Sequence, residues 1–272
     1  MNKAPFGIAI AGLGTVGGGV VKALGARGED LSRRAGRELK LVAVSARDPK
    51  KARGFAPVGW TPDPLDLARG DADVVVEMIG GEEGIARALV TLALKNGKHV
   101  VTANKALLAR HGTELAELAE AHGVTLKFEA AVAGGIPILK ALREGLIAHE
   151  VNAVKGILNG TCNYILTEME ASGRAFADVL KDAQAEGYAE ADPALDVGGG
   201  DTAHKLALLS SLAFGTKPDL DSIAVQGIEH ITADDITYAR EFGFRIKLLG
   251  VTRRVTGKDG SRGIEQKVHP SM

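Results

Sequence analysis

Cysteine occurs once in the 272 residues, at Cys162, tryptophan once, and aromatic residues make up only 4%. A lone thiol cannot close an internal disulfide, so burial and hydrogen bonding must hold the fold, and a cytoplasmic setting is expected. Neither sign of charge dominates: 33 Lys+Arg face 34 Asp+Glu, a formal net charge of −1. That balance offers no footprint for nucleic acid or an acidic membrane surface. No charge-free run reaches the roughly 18 residues of a membrane span. The apolar N-terminal run loosely imitates a signal peptide, but glycines at 12, 14, 17, 18 and 19 interrupt it, and neither export nor insertion is expected. The seven histidines show no HExxH or paired Cys/His spacing, so no zinc site is indicated. Internal repeats and flexible linkers are absent as well.

Glycine, by contrast, is abundant at 35 residues, well above the usual share of roughly 7%. The first cluster follows a short apolar strand at 6–11 and reads Gly12-x-Gly14-x-x-Gly17, then enters a helix expected from Thr15 to about Ala26. In that context the pattern is a dinucleotide fingerprint. The first glycine permits the tight turn, the second lets a pyrophosphate approach the backbone, and the third lets helix and strand pack closely. The backbone of Gly12, Leu13, Gly14, Thr15, Val16 and Gly17 then faces the anion at the helix N-terminus.

The next strand, 39–46, ends near the expected adenosine ribose at Ser45-Ala46-Arg47-Asp48, followed by Lys50, Lys51 and Arg53. Cations there suit a 2′-phosphate and favour NADP, with Arg47 the first candidate; Asp48 keeps NAD open. Further strands at 72–80, 99–104 and 124–132 alternate with helical stretches. The fold class expected is α/β, a Rossmann-like doubly wound parallel sheet over 1–132, with a second α+β substrate domain over 133–272. Lys105 lies just past a strand end, where it either reaches the crevice or starts a helix as a surface lysine.

In the second half "AEADPALDVGGGDTAHKLALL" sets an acidic loop and three glycines before Asp201 and Lys205. Spaced by four, these two share a helix face, a pair that contributes about 0.2–0.5 kcal/mol if merely exposed. The apolar continuation "LALLSSLAF" argues for an enclosed position, where a lysine can act as a general acid. Glu190, Asp192 and Asp196 are candidates to grip an ammonium group, and glycines 198–200 are expected to give a small ligand room. From these residues alone, catalytic and structural readings both stay open. Cys162 reads either as a thiol nucleophile or as a buried apolar residue, and His204 as an ordinary helix residue.

Taken together, "GLGTVGGGV", "DVVVEMIGG", "HVVTANKALLA", "FEAAVAGGIPIL", "GILNGTCNYILTEM", "AQAEGYAEADPALDVGGGDTAHKLALL" and "REFGFRIKLLGV" resemble the homoserine dehydrogenase family, in order over nearly the whole chain. The resemblance implies NAD(P)-dependent interconversion of L-aspartate 4-semialdehyde and L-homoserine, in the threonine and methionine branch of amino-acid biosynthesis. It implies Lys205 as proton donor, Asp201 as its partner, Glu190 as ligand of the substrate amino group, and Lys105 as a cofactor- and substrate-side lysine. It also implies a structural Na⁺ or K⁺ ion at Glu129, Val132, Gly134 and Ile136, and a homodimer for the full-length form. Relatives continue beyond "GIEQKVHPSM" through more strands and a return helix, so the chain is expected to stop before that segment. Two alternatives stand beside this reading: a non-catalytic NADP-binding sensor or degenerate paralogue, and a dehydrogenase of another small amino or hydroxy acid. Glu190 discriminates against a substrate lacking an amine.

Overall fold

The computed structural model describes residues 4–48 and 58–272, and the basic residues Lys50, Lys51 and Arg53 lie outside the described residues. The chain divides into two compact units, Met1–Gly135 and Ile136–Met272.

The first unit alternates strands and helices: β1 (Phe6–Ala11), α1 (Thr15–Ala35), β2 (Leu39–Ser45), β3 (Gly59–Thr61), α2 (Leu65–Arg69), β4 (Val74–Glu77), α3 (Ile85–Lys95), β5 (His99–Thr102), α4 (Lys105–Ala121) and β6 (Leu126–Lys127). Its sheet order is β3-β2-β1-β4-β5-β6 with every pair parallel. This is the strand order of the Rossmann fold, with the switch point between β1 and β4. Parallel strands are buried on both faces and read as apolar runs; β4, Val-Val-Val-Glu, is buried throughout. Ile8, Ile10, Val44, Val74 and Val76 from the strands pack with Leu13 and Val21 into the core.

Three elements differ most from the sequence expectation. Helix α1 runs nine residues past Ala26, because Gly25 and Gly28 face open space and the last turns carry a surface network. There Asp30 pairs with Arg27, Arg33 and Arg34, and Gly36 ends the helix in the left-handed region at φ 64°. The strand expected at 72–80 keeps only its centre, since Gly80 and Gly81 turn at φ 86° and 90°. The strand expected at 124–132 shrinks to two residues, since Phe128 leaves the extended region (ψ 36°) and Glu129–Ala131 form a 3-10 turn.

The second unit opens with a short helical segment, α5 (Ile138–Lys140), running on through a wider π-type turn at Ala141–Gly145. It continues with β7 (Ala153–Gly156), α6 (Gly160–Ser172), α7 (Phe176–Ala185), α8 (Ala194–Val197), α9 (Gly200–Phe214), β8 (Ala224–Val225), α10 (Ala233–Glu241), β9 (Lys247–Thr256) and β10 (Arg262–Ser271). Its sheet order is β7-β9-β10-β8, with β9 and β10 a ten-residue antiparallel hairpin. On β9, Leu248, Gly250 and Thr252 alternate inward, toward the buried α9, where Ser210 Oγ lies 3.0 Å from Thr252 Oγ1. The unit is thus α+β, a mostly antiparallel sheet with helices.

Among the described residues, no helix is long and apolar enough to cross a membrane.

Candidate functional site

The glycine turn between β1 and α1 has the geometry of a phosphate cradle. Gly12 takes φ 91°, where an L side chain is strained, and a Cβ on it would lie 2.5 Å from Met78 O. A Cβ on Gly17 would lie 1.8 Å from Gly12 O. Around Gly14, however, nothing stands within 4 Å. Two glycines are therefore demanded by the fold, while the second leaves space that the protein itself does not use. Helix α1 starts there without a side-chain cap, and Gly14, Thr15 and Val16 are exposed. Its first N–H groups face an anion-sized opening at the positive end of the helix. A cavity of about 660 Å³ spreads from Gly12, Leu13 and Gly14 across the ends of β2 and β4 to Arg47, Asp48 and Ile79. Arg47 and Asp48, exposed just past β2, stand where a ribose edge would lie.

A buried network that the sequence reading missed holds the turn after β4, whose Ile79 lines this same cavity. Glu77, fully buried at the end of β4, accepts from the N–H groups of Ile79 (2.7 Å) and Gly80 (2.9 Å) and from the Thr102 hydroxyl (2.5 Å). Thr102 Oγ1 accepts from Asn104 N, and the Asn104 side chain donates to Gly81 O while capping α4 at Leu107 N. Lys105 follows as the first helical residue. A cation at a helix N-terminus opposes the helix dipole. The signal for Glu77 lay in "VVVEMIGG": an acid closing an apolar strand needs donors, and the following turn supplies them.

In the second unit Asp201 and Lys205 stand on the first turns of α9, and Lys205 Nζ donates to Asp201 Oδ2 at 2.6 Å and to Leu158 O at 2.7 Å. Their side chains are 7% and 18% exposed. Asp201 gains from the helix N-terminus it sits on. An ammonium carries three protons; these two bonds leave one N–H of Lys205 for a ligand oxygen. Asn159, before α6, donates to both Asp196 and Asp201, so α6, α8 and α9 meet at one polar cluster. Cys162 lies in it, fully buried, with Sγ donating to Asp196 O at 3.2 Å. Burial, and then the charges of Asp196, Asp201 and Glu229, push its thiol up to about 12. At neutral pH it is a protonated donor, which removes the nucleophile reading.

Glu190 is exposed in the loop between α7 and α8. The loop is tied down beneath it: Gln184 Nε2 donates to Glu190 O and Ala191 O, Thr161 Oγ1 donates to Tyr188 O, and Tyr188 stacks on Tyr164 at 4.4 Å. Asp192 turns inward on its own chain, accepting from Ala194 N. The glycines at 198–200 correct an expectation. Gly199, at φ 88°, would place a Cβ 3.0 Å from Val225 Cγ1; Gly200 would meet Leu195 Cδ1 at 2.8 Å, and Gly198 would meet Ala194 O at 2.7 Å. They are small because β8, β10 and α8 crowd them; the space expected for a ligand is taken by packing.

Comparison with known proteins separates the two units in the same way. A family model described as "Homoserine dehydrogenase, NAD binding domain" matches residues 12–129, and one described as "Homoserine dehydrogenase" matches 137–272. The chain belongs to the homoserine dehydrogenase family. A homoserine dehydrogenase of Neisseria gonorrhoeae is 53% identical over 270 residues, 98% of this chain and 61% of that protein. The crystal structure of a homoserine dehydrogenase from Thiobacillus denitrificans matches with TM-score 0.93 and 50% identity, covering 98% of this chain and 61% of that one. A hyperthermophilic archaeal homoserine dehydrogenase in complex with NADPH matches with TM-score 0.78 and 25% identity, covering 98% and 82%. The chain thus spans about three-fifths of the length of the Neisseria and Thiobacillus relatives. Its first unit carries the family's nicotinamide-dinucleotide-binding domain, and the cradle at Gly12–Gly17 lies inside the matched span.

Proposed function

We propose that this chain interconverts L-aspartate 4-semialdehyde and L-homoserine with NADP as the hydride carrier. The observation that carries the reading is the Lys205 ammonium, two of whose protons are spent on Asp201 and Leu158 O while one remains. That N–H suits the carbonyl oxygen of an aldehyde: it offsets the charge that grows on the oxygen and then delivers the proton. Asp201 orients the ammonium. The Glu190 carboxylate, on a loop braced by Gln184 and Thr161, takes the substrate ammonium and fixes the carbonyl. When bound, the nicotinamide supplies the hydride to the aldehyde carbon.

The cofactor is held by the backbone of Gly12, Leu13, Gly14, Thr15, Val16 and Gly17, with Arg47 on the 2′-phosphate, which favours NADP over NAD. Lys105, the first residue of α4, serves the cofactor and substrate side. Main-chain oxygens of the turn that includes Glu129, Val132 and Gly134, with Ile136 two residues further on, suit a Na⁺ or K⁺ ion on the oxygen preference of hard cations. In support, Ala133 holds φ 51°, the one non-glycine residue with positive φ among those described, a conformation that turns successive carbonyls out of an extended line. Such an ion would be structural. A cytoplasmic setting fits a single cysteine kept as a thiol, and a homodimer is the assembly proposed for the full-length form.

The test is a spectrophotometric assay of homoserine oxidation with NADP and with NAD, for the protein and for Lys205→Ala. The lysine variant should lose on the order of 10²–10⁴ in kcat with cofactor binding retained. Undiminished turnover by Lys205→Ala would remove the assignment.

A further inference from the structure

Both acceptors of the Lys205 ammonium converge on a residue with no role in the function proposed above. Asn159 Nδ2 donates to the same Asp201 oxygen that Lys205 uses, Oδ2, at 2.8 Å, and to Asp196 Oδ1 at 2.7 Å. Its Oδ1 accepts from Cys162 N at 2.7 Å, capping α6. The residue is 4% exposed. An amide group has two N–H donors and one carbonyl, and here each is engaged. The other acceptor, Leu158 O, belongs to the peptide that joins Leu158 to Asn159, so the cap that fixes Asn159 (φ −126°, ψ 120°) also fixes that carbonyl. Strand β9 accommodates this: a Cβ on Gly250 would lie 2.8 Å from Leu158 Cδ1.

We infer that Asn159 is a positioning residue for Lys205, holding the Asp201 carboxylate and the Leu158 carbonyl in the orientation that leaves one ammonium N–H directed to substrate. The inference rests on the proposed role of Lys205. A neutral double donor is the group this place needs. It lets Asp196 and Asp201 approach one site as carboxylates, which like charges otherwise resist. A cationic donor would compete with Lys205 for Asp201, and an apolar residue would leave buried oxygens with fewer partners. The charges that reach this cluster come from Asp196 on α8, Asp201 and Lys205 on α9, and Glu229 after β8, with the neutral Cys162 on α6.

The test variant is Asn159→Ser, which keeps a capping oxygen for α6 but is too short to bridge both carboxylates. With that donor gone, the Asp201 carboxylate and the Leu158 carbonyl are no longer held in register, and the Lys205 ammonium loses its fixed direction. The ¹⁵Nζ resonance of Lys205, assigned by its loss in Lys205→Ala, is expected to move from its parental chemical shift, a readout that needs no turnover. In homoserine oxidation kcat should fall on the order of 10- to 100-fold, with NADP binding unchanged. Added to Lys205→Ala, Asn159→Ser should lower the residual rate no further, because its effect passes through the lysine. Equal losses in both backgrounds, or an unmoved Nζ resonance in folded protein, overturn the inference. If Asn159→Ser fails to fold, Asn159→Thr keeps the capping oxygen and more of the side-chain volume while lacking the amide donors, and the same readouts decide. The two readings fail separately. Lys205→Ala with intact turnover removes the catalytic assignment even where the Nζ resonance of Asn159→Ser moves; an inactive Lys205→Ala beside an Asn159→Ser variant of parental resonance and rate removes only the positioning role.

Discussion

Gly17 lies so close beneath Gly12 that a Cβ on it would stand 1.8 Å from the Gly12 carbonyl oxygen. That oxygen belongs to a turn already forced to φ 91°, with Met78 O behind it, so neither backbone has freedom to retreat. Three residues away, Gly14 faces nothing within 4 Å. The two glycines carry opposite burdens, one imposed by packing and one by an absent neighbour.

A contrasting pair of substitutions follows. Gly17→Ala should destabilise the first unit by about 1–3 kcal/mol through overpacking and weaken NADP(H) binding, because α1 must move away from β1. Gly14→Ala should leave the melting temperature close to the parent's while weakening NADP(H) on the order of tenfold or more, since its methyl fills only ligand space. Thermal unfolding beside a fluorescence titration with NADPH separates the two. If Gly14→Ala binds as the parent does, no phosphate approaches that glycine.

How much of this was legible beforehand depends on how local the cause is. The cradle was readable because the needs of Gly12, Gly14 and Gly17 are backbone needs set by a strand, a turn and a helix adjacent in sequence. Asp201 and Lys205 were placed on one face for the same reason: four residues of helix suffice to pair them. The glycines at 198–200 were misjudged because Gly199 is crowded by Val225 and Val268, from strands more than twenty residues away, and Gly198 and Gly200 by Ala194 and Leu195 of the preceding α8. No spacing within "DVGGGDT" carries that information. Asn159 was passed over although an asparagine before Gly160 and Thr161 is a helix-start signal. Its cap was foreseeable, but its two carboxylate partners, 37 and 42 residues distant, were not. The longer α1 reflects glycines in a solvent-facing helix, tolerated at a modest cost.

Cys162 gives a prediction in pH. Its folded thiol titrates at about 12 against an ordinary 9.0, chiefly through burial and then through the charges of Asp196, Asp201 and Glu229. A raised value means folding favours the neutral thiol. The contribution is therefore complete below about pH 9 and is lost as pH climbs toward 12. Cys162→Ser, which does not titrate there, should show a shallower decline of unfolding free energy between those limits. It should also retain homoserine turnover, while iodoacetamide should leave the native thiol unmodified at neutral pH. Parallel alkaline curves for parent and variant would show that the thiol gains nothing from its surroundings.

Glu77 offers the sharpest test of how the first unit's crevice is held. Its carboxylate takes three donors, two from the turn at Ile79 and Gly80 and one from Thr102, whose oxygen in turn receives Asn104 N–H. Glu77→Gln has nearly the same shape but only one acceptor oxygen. If that oxygen serves the turn, its NH₂ faces Thr102 Oγ1, which must then accept twice and leaves its own proton without a partner. If the amide is flipped, the N–H groups of Ile79 and Gly80 meet another donor. Either arrangement strands buried polar hydrogen, at about 1–3 kcal/mol. For a protein of this size each kcal/mol moves the melting temperature by roughly 2–4 °C, a shift that thermal unfolding resolves. Glu77→Ala should cost more, since both turn N–H groups and the hydroxyl lose their acceptor and a cavity opens as well. In both variants Asn104, tied to Thr102 and to Gly81 O, loses its anchor, so the start of α4 at Lys105 loosens with it. NADP(H) affinity should therefore fall alongside stability, by more in the alanine variant than in the glutamine one. A Glu77→Gln protein that melts and binds as the parent does would mean that the turn after β4 is held by something other than this carboxylate.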